Sequence, residues 1–524
     1  MKNKDQDKEI NSGLKLLVKT SFIVFIALIL SKVFSYSYRI IIARYFGAEI
    51  YGLFSLSIVI IGWFVAFSSL GITEGVVKYL SFYRGKNEIN KIKYIVKLSS
   101  RILFFSTLIV AVISFLLSDG ISINVFHNPD LSFFLKVFSI MIPFWIFASY
   151  YIAIIKAFEK VKQQSIIENI VQNFAKVFCL IILLFLGFNT NAVVFSFFFG
   201  IFIMLLAAYF YCKIKMPKIF LKENLDKKTK KSISISFISY SWPVMFFGVI
   251  SSIFYWIDSL TIGFFKSATE VGFYNAAVPI ALLISFAPEL FIHLFFPLIN
   301  REFSRKNMKF IKEISKQIAK WIFMINFPIF ILMIFFPGVI INILFGQEYL
   351  IAENALRFLL VGALFSSIFI ISNNLISMIG KSKIILYDII IASIINLILN
   401  LLLVPKPIIF GIDNSFGING AAIATLISVV IFNILFLFQA KHYTSIIPLK
   451  RKMFKIILSS LIPFLLLIFL RKLIIINTFS VILLAITFFT TYLILLLLFK
   501  AFDKNDLMIL HAIKKKIKLL KSRL

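Results

Sequence analysis

Residues 384–404 read IILYDIIIASIINLILNLLLV, an unbroken apolar run interrupted by few polar side chains. Crossing the hydrocarbon core of a bilayer takes about 20 mostly apolar residues as a helix, and this run has that length and composition. Its polar members Asp388, Asn396 and Asn400 recur at eight and four residues, which puts them on one face of a helix. The stretch therefore reads as a spanning helix with one polar stripe. Working outward, thirteen further runs of the same kind are separated by short polar segments. In chain order the fourteen spans are 20–43, 50–71, 99–118, 132–155, 166–187, 192–212, 235–264, 272–298, 319–342, 353–379, 384–404, 420–439, 454–473 and 478–500.

Composition agrees with this reading. Of 524 residues, 60% are hydrophobic and 15% charged, and the mean hydropathy is +0.99. A soluble interior grows too slowly with chain length to hide that much apolar surface. The same figures exclude a disordered chain, and two cysteines, Cys179 and Cys212, exclude a disulfide scaffold. The net charge of +32 accompanies hydrophobic runs rather than basic patches on polar surface, so no nucleic acid is expected as a partner.

Orientation follows from where the basic residues fall. With the N-terminus in the cytosol, the inside segments hold 45 of the 55 Lys and Arg residues. The outside loops hold Arg39, Arg44, Lys266, Lys406, Arg471 and Lys472. The positive-inside rule then predicts a multi-pass protein of the cytoplasmic membrane with both termini cytosolic. The tail bearing Lys514, Lys515, Lys516 and Lys518 is read as one more inside segment, with anionic lipid headgroups as the alternative contact. Lys15 and Lys19 before the first run, and Ser35-Tyr36-Ser37 within it, carry some features of a cleaved signal. An uncleaved first span is the better reading, because cleavage would remove part of an internal repeat.

Shifting the chain by 220 residues superposes several landmarks. Gly52-Leu53-Phe54 falls on Gly272-Phe273-Tyr274, Lys86-Asn87 on Lys306-Asn307, and Glu168 on Asp388; Lys136 meets Arg357 with a slip of one. A common offset across four segments implies duplication. The predicted fold is an all-α polytopic membrane protein: a six-helix N-terminal lobe (1–220), a six-helix C-terminal lobe (221–440) related by a pseudo-two-fold axis, helices 13 and 14 (441–500), and a basic cytosolic tail (501–524). Such duplicated bundles commonly work by alternating access.

Ionisable groups within spans are costly, so they carry most of the functional information. The cations are Lys32 and Arg39 in span one, Arg44 near the outer boundary, Lys136, Lys176 and Arg357. Arg and Lys bind phosphate oxygens well, so a cavity holding them suits a phosphorylated anion. Lys32, deepest in its span, is the foremost cation; Arg44 and Arg357 have snorkelling to the interface as an equal alternative. Glu168, Gln172 and Lys176, four residues apart, are expected on one face of span five, matching the Asp388, Asn396 and Asn400 stripe. Helix-to-helix hydrogen bonding is the competing reading for the asparagines. Asp258 and Glu289 are candidates to bind a coupling H+ or Na+, with Glu168 and Asp388 as further candidates near the inner boundary. Pro243, Pro279, Pro288 and Pro297 are expected to kink spans seven and eight. The histidines His127, His293, His442 and His511 are scattered, the cysteines are not spaced as metal ligands, and no catalytic arrangement or cofactor site is evident.

An ordered series of short motifs resembles polysaccharide and oligosaccharide flippases of the Wzx type. It comprises Tyr45-Phe46-Gly47 through Tyr51-Gly52, then Asp258 followed by Val271-Gly272-Phe273-Tyr274-Asn275-Ala276-Ala277. Phe345-Gly346 with Tyr349, Asn396 with Asn400 and Pro405, and Gly417-Ile418-Asn419-Gly420-Ala421-Ala422-Ile423-Ala424-Thr425 complete it. The resemblance runs from about residue 15 to 500. It implies the fold of the multidrug/oligosaccharidyl-lipid/polysaccharide exporter (MOP) superfamily, with two MATE-like lobes and two added helices. It implies as substrate an oligosaccharide linked by phosphate or diphosphate to a polyprenyl lipid, moved from the cytosolic to the outer leaflet. Membrane lipids and glycan-assembly enzymes are the implied partners, and a monomer is expected. Lipid II flippases typically carry an Arg-Asp pair late in the first helix, where this chain has Tyr38-Arg39, which argues against the peptidoglycan branch. The stretch from Lys406 to Phe416 is longer than the usual connection. Two rivals make different predictions. A cation-coupled multidrug antiporter of the MATE type needs an acidic cavity, and a membrane glycan polymerase or ligase needs an extended outside loop with paired polar groups.

Overall fold

The computed structural model describes residues 2–473 and 478–502. In chain order its helices are α1 (Lys2–Ser69), α2 (Ile72–Gly85), α3 (Ile89–Gly120), α4 (Asp130–Ala157), α5 (Val161–Ser165), α6 (Gln172–Phe185), α7 (Asn191–Lys215), α8 (Lys227–Phe265) and α9 (Ala268–Leu282). There follow α10 (Phe286–Ser304), α11 (Met308–Phe335), α12 (Pro337–Leu344), α13 (Glu353–Met378), α14 (Ser382–Leu403), α15 (Ile418–Thr444), α16 (Lys452–Leu473) and α17 (Thr478–Leu498). Among the described residues, twelve continuous segments are long and apolar enough to cross a membrane. The first of them contains two predicted spans, and α17 contributes a shorter apolar helix, so all fourteen predicted spans have helical counterparts among the described residues. This is a multi-pass, nearly all-helical membrane protein.

Four local features add to the sequence reading or depart from it. The first two spans are two helical arms of α1, as expected, joined at Gly47, whose φ of 81° and ψ of 178° are not helical and lie in a region open essentially to glycine alone. The short helix α2 follows Gly71 and was not separable from a polar loop by hydropathy. Span five contains a π-helical turn, Ile166–Val171, between α5 and α6. That extra residue per turn breaks the expected face: Glu168 is exposed, Gln172 half-buried and Lys176 buried. Finally, the long stretch after Pro405 forms a miniature antiparallel hairpin, β1 (Ile408–Ile409) with β2 (Ile412–Asp413). Asn414 ties it down by donating to the carbonyls of Leu403 (2.9 Å) and Lys406 (2.6 Å) while accepting from the Gly420 amide (2.8 Å). It thereby serves backbone groups at the end of α14 and the start of α15 that lack helical partners.

The chain forms two compact units. One comprises Met1–Pro279, Leu344–Ala355 and Leu386–Ser428. Within it α1 and α9 cross at Gly52 and Gly272 with no side chain between their backbones. A Cβ placed on Gly52 would lie 1.7 Å from the Ala268 carbonyl oxygen, and one on Gly272 would lie 2.0 Å from the Ala48 carbonyl oxygen. Residues 48 and 268, like 52 and 272, are related by the 220-residue shift. The contact is therefore its own image under the repeat. Also in this unit, Asp226 starts α8 by accepting from the Thr229 amide at 2.9 Å, the usual helix-capping bond.

The other unit comprises Ile280–Ile343, Leu356–Ile385 and Val429–Leu524. Its core joins α10, α11, α13, α16 and α17 around Phe295, Ile322, Ile371, Leu375 and Tyr492. Lysines secure the end of α17: Lys455 donates to the Phe499 carbonyl and Lys452 to the Phe502 carbonyl, each at 3.0 Å. Cations at a helix C-terminus meet its partial negative charge. The basic tail with Lys514, Lys515, Lys516 and Lys518 lies outside the described residues.

Candidate functional site

Within the first unit, α8, α9, α14 and α15 converge on Asp258, which is buried. Its Oδ1 accepts from Asn400 Nδ2 at 2.8 Å, and its Oδ2 accepts from the Tyr274 hydroxyl at 2.6 Å and from the Thr425 hydroxyl. Asn400 also donates to the Asn396 carbonyl (3.0 Å) and Oδ1 (2.9 Å), and Asn396 donates to the Phe254 carbonyl at 3.4 Å. No cation pairs with Asp258 among the described residues. A carboxylate so placed, among hydroxyls and amides rather than ammoniums, is suited to take up a proton or a small cation.

Moving back 220 residues from Asp258 and Asn396 gives Tyr38 and Lys176, and these two also meet. The Lys176 ammonium sits 5.2 Å from the Tyr38 ring centroid and 5.7 Å from that of Phe197. Tyr38 in turn donates to the Val193 carbonyl at 2.7 Å. Positions related by the 220-residue shift thus carry different chemistry, carboxylate and amide at Asp258 and Asn396, aromatic ring and ammonium at Tyr38 and Lys176. Next to Tyr38, Arg39 donates to the Tyr51 hydroxyl at 3.2 Å, and that hydroxyl donates to the Asn275 carbonyl at 2.9 Å. Lys176 lies within the field of Arg39. Among the described residues neither cation has a carboxylate within ion-pair distance. Ring faces offset a buried ammonium by about 0.5–2 kcal/mol. A charge at the bilayer centre costs about 2.5–3.5 kcal/mol or more, so ring contacts alone do not fully compensate a charged Lys176.

The remaining predicted residues are more dispersed. Lys32 is half-buried on α1, one and two turns from Tyr36 and Arg39 on the same face. Tyr36 donates to the Pro279 carbonyl at 2.5 Å. Arg44 is exposed and donates Nε to the Leu344 carbonyl at 2.9 Å. Lys136 is paired with Asp119 at 2.8 Å, a partner that no spacing rule linked to it. Asp388 is buried on α14, apart from the direct ligands of Asp258. Glu289 on α10 and Arg357 on α13 belong to the second unit and are both half-buried. Tyr38, Tyr51, Tyr274 and Thr425 were not singled out for chemistry, although Tyr51, Tyr274 and Thr425 stand inside the quoted motifs. Applying the 220-residue shift to Asp258 would have found Tyr38.

The sequence pattern of the polysaccharide biosynthesis protein family matches residues 17–303, and that of the MatE family matches residues 243–402. A Shigella flexneri protein assigned as an O-antigen transporter is 26% identical over 357 residues, which is 66% of this chain and 80% of that one. A Haloferax volcanii protein assigned as a low-salt glycan biosynthesis flippase is 26% identical over 208 residues, 39% of this chain and 42% of that one. Among solved structures, the lipid II flippase MurJ in an inward closed conformation superposes with a TM-score of 0.70 at 19% identity, covering 90% of this chain and 98% of that one. That likeness shows the fold. With its family pattern matched over more than half of its length, the chain belongs to the polysaccharide biosynthesis protein family of the MOP superfamily, the group to which the Wzx-type flippases belong.

Proposed function

We propose that this protein carries an oligosaccharide, linked by phosphate or diphosphate to a polyprenyl lipid, from the cytosolic to the outer leaflet by alternating access, as a transporter rather than an enzyme. Family membership supports the class of cargo. The observation that carries the chemistry is the pair Arg39 and Lys176, two cations within spanning helices that are flanked by tyrosines and lack carboxylate partners among the described residues. A phosphate between them would supply the missing counter-charge, and charge-assisted hydrogen bonds of this kind contribute about 1.5–3 kcal/mol each. Asp258, ringed by Tyr274, Asn400 and Thr425, is the residue assigned to a coupling H+ or Na+. Both termini face the cytosol in this scheme, in keeping with the distribution of basic residues.

The test is to delete the gene and measure which leaflet holds the lipid-linked glycan. Accumulation facing the cytosol, restored to the outer leaflet by the unmodified gene, is the expected result. Complementation by Arg39→Ala or Lys176→Ala is expected to fall about tenfold to hundredfold, the rate equivalent of one lost charge-assisted bond. An unchanged leaflet distribution on deletion overturns the function, and full complementation by both variants overturns the phosphate clamp.

A further inference from the structure

A second polar site lies in the first unit, at the end of the bundle where α2 and the connection from α4 to α5 are found. It is a cavity of about 400 Å3, within the range of small-molecule sites. Its charged lining is balanced: Glu74 and Lys78 from α2, Lys156 from α4, and Glu168 from the π-helical turn. No ion pair joins any two of these four groups. Glu168 accepts instead from Gln164 Nε2 at 3.2 Å, Glu74 accepts from the Thr73 hydroxyl at 2.8 Å, and the Lys78 ammonium rests 3.5 Å from the centroid of the Tyr240 ring. Ile152, Ala153 and Met204 give the same cavity an apolar wall.

Charges of both signs that share a cavity without neutralising one another are available to a ligand. A phosphate would gain from Lys78 and Lys156 what it lost to Glu74 and Glu168, and an organic cation the reverse, so neither finds a net opposite charge here. A neutral polyol needs none. Paired hydroxyls can donate to carboxylates and accept from ammoniums and amides, while the C–H faces of a sugar ring lie against aromatic and aliphatic walls. The π turn is the second, independent pointer, because such turns are kept inside helices mostly at functional sites, and here it turns Glu168 out of line with Lys176 and toward the cavity.

We propose that this cavity seats the uncharged glycan portion of the transported lipid, separately from the phosphate-binding pair Arg39 and Lys176. The inference rests on the proposed function, and it adds a division of labour: sugar at the Glu74 and Glu168 cavity, phosphate at the cationic pair. It also moves Glu168 from ion coupling to ligand contact.

The test uses the full chain with Ser149→Cys, a half-buried position lining the cavity, and the unmodified chain as the labelling background. Alkylation by a maleimide is timed with three additions: a lipid extract containing the cell's lipid-linked oligosaccharide, polyprenyl phosphate without sugar, and the glycan released from that extract by mild acid. The extract and the released glycan are expected to slow alkylation, and polyprenyl phosphate is not. Glu74→Gln with Glu168→Gln is expected to raise the glycan concentration needed for protection about tenfold. Lys156→Ala, checked for an unchanged size-exclusion profile, is a second variant expected to act in the same direction. Equal protection by polyprenyl phosphate, or none by the extract, overturns the assignment. Protection that survives all these substitutions does so too. If deletion of the gene alters the leaflet distribution while the cavity gives no protection, only the glycan seat fails; an unaltered distribution fails the transport reading itself.

Discussion

Adding one methyl group to Gly52 is the sharpest perturbation of this fold. The new Cβ would stand 1.7 Å from the Ala268 carbonyl oxygen, whereas ordinary contact begins at 3.4 Å. The obstacle is backbone, so no side chain can swing aside, and α1 and α9 must separate by about 1.7 Å at this point. Overpacking a well-filled interior costs about 1–3 kcal/mol and sometimes more, and a backbone-to-backbone clash belongs at the upper end. Gly272→Ala meets the Ala48 carbonyl oxygen at 2.0 Å and should cost a similar amount. Because one separation of the two helices relieves both clashes, the double variant should be distinctly less destabilised than the sum of the singles, the signature of coupled sites. Gly62→Ala on the same helix, with nothing within 4 Å of its new methyl group, is the control and should be neutral or stabilising by about 0.5–1 kcal/mol. Thermal inactivation of detergent-solubilised protein, followed by size-exclusion fluorescence, ranks the four variants. If Gly52→Ala is as heat-stable as Gly62→Ala, or if the two glycine effects simply add, the self-imaged crossing is refuted.

Three other outcomes are expected. Asp258→Asn is nearly isosteric: its Oδ1 can still accept from Asn400, while its Nδ2 must donate to the Tyr274 and Thr425 hydroxyls instead of accepting from them, so the protein should stay folded while transport becomes insensitive to the H+ or Na+ gradient; gradient-dependent uptake at the original rate would contradict it. Asn414→Ala removes three bonds at the hairpin and should destabilise by about 2–3 kcal/mol at roughly 1 kcal/mol each, read as a lowered melting temperature. Glu223, in the connection before α8, is held below the usual carboxylate range by a backbone hydrogen bond and by Lys230 and Lys97, at 3.3 and 3.6 Å. A depressed value means that its contribution is present above the unfolded-state value and fades as pH falls through the folded one. Glu223→Gln should therefore flatten the acid side of the stability profile, and an identical acid transition in the variant would exclude the effect.

The spans were legible in the sequence because they are written in long apolar runs, and Gly52 and Gly272, landmarks of the 220-residue shift, prove to meet across the α1 and α9 crossing. Asp258 and the pair Asn396 and Asn400 were legible as isolated polar groups, and the structure brings them into one cluster. What could not be read was whatever depends on a change of helical pitch or on distant pairing. The π turn at Ile166–Val171 has no composition of its own, yet it separates Glu168 from Lys176. Lys136 looked like a free cation in its span because Asp119, which neutralises it, lies on another helix. The cavity around Glu74, Lys78, Lys156 and Tyr240 draws on several helices, so no local pattern announced it.

The glycine crossing also bears on how such a chain came to exist. A contact that maps onto itself under the internal shift is isologous, the kind made when two identical subunits meet about a two-fold axis. Each glycine of the contact faces the backbone of the opposite helix, so neither position can take a side chain unless the two helices part. Away from this contact the positions related by the shift differ in chemistry: an ammonium over a tyrosine ring at Lys176 and Tyr38, a carboxylate and an amide at Asp258 and Asn396.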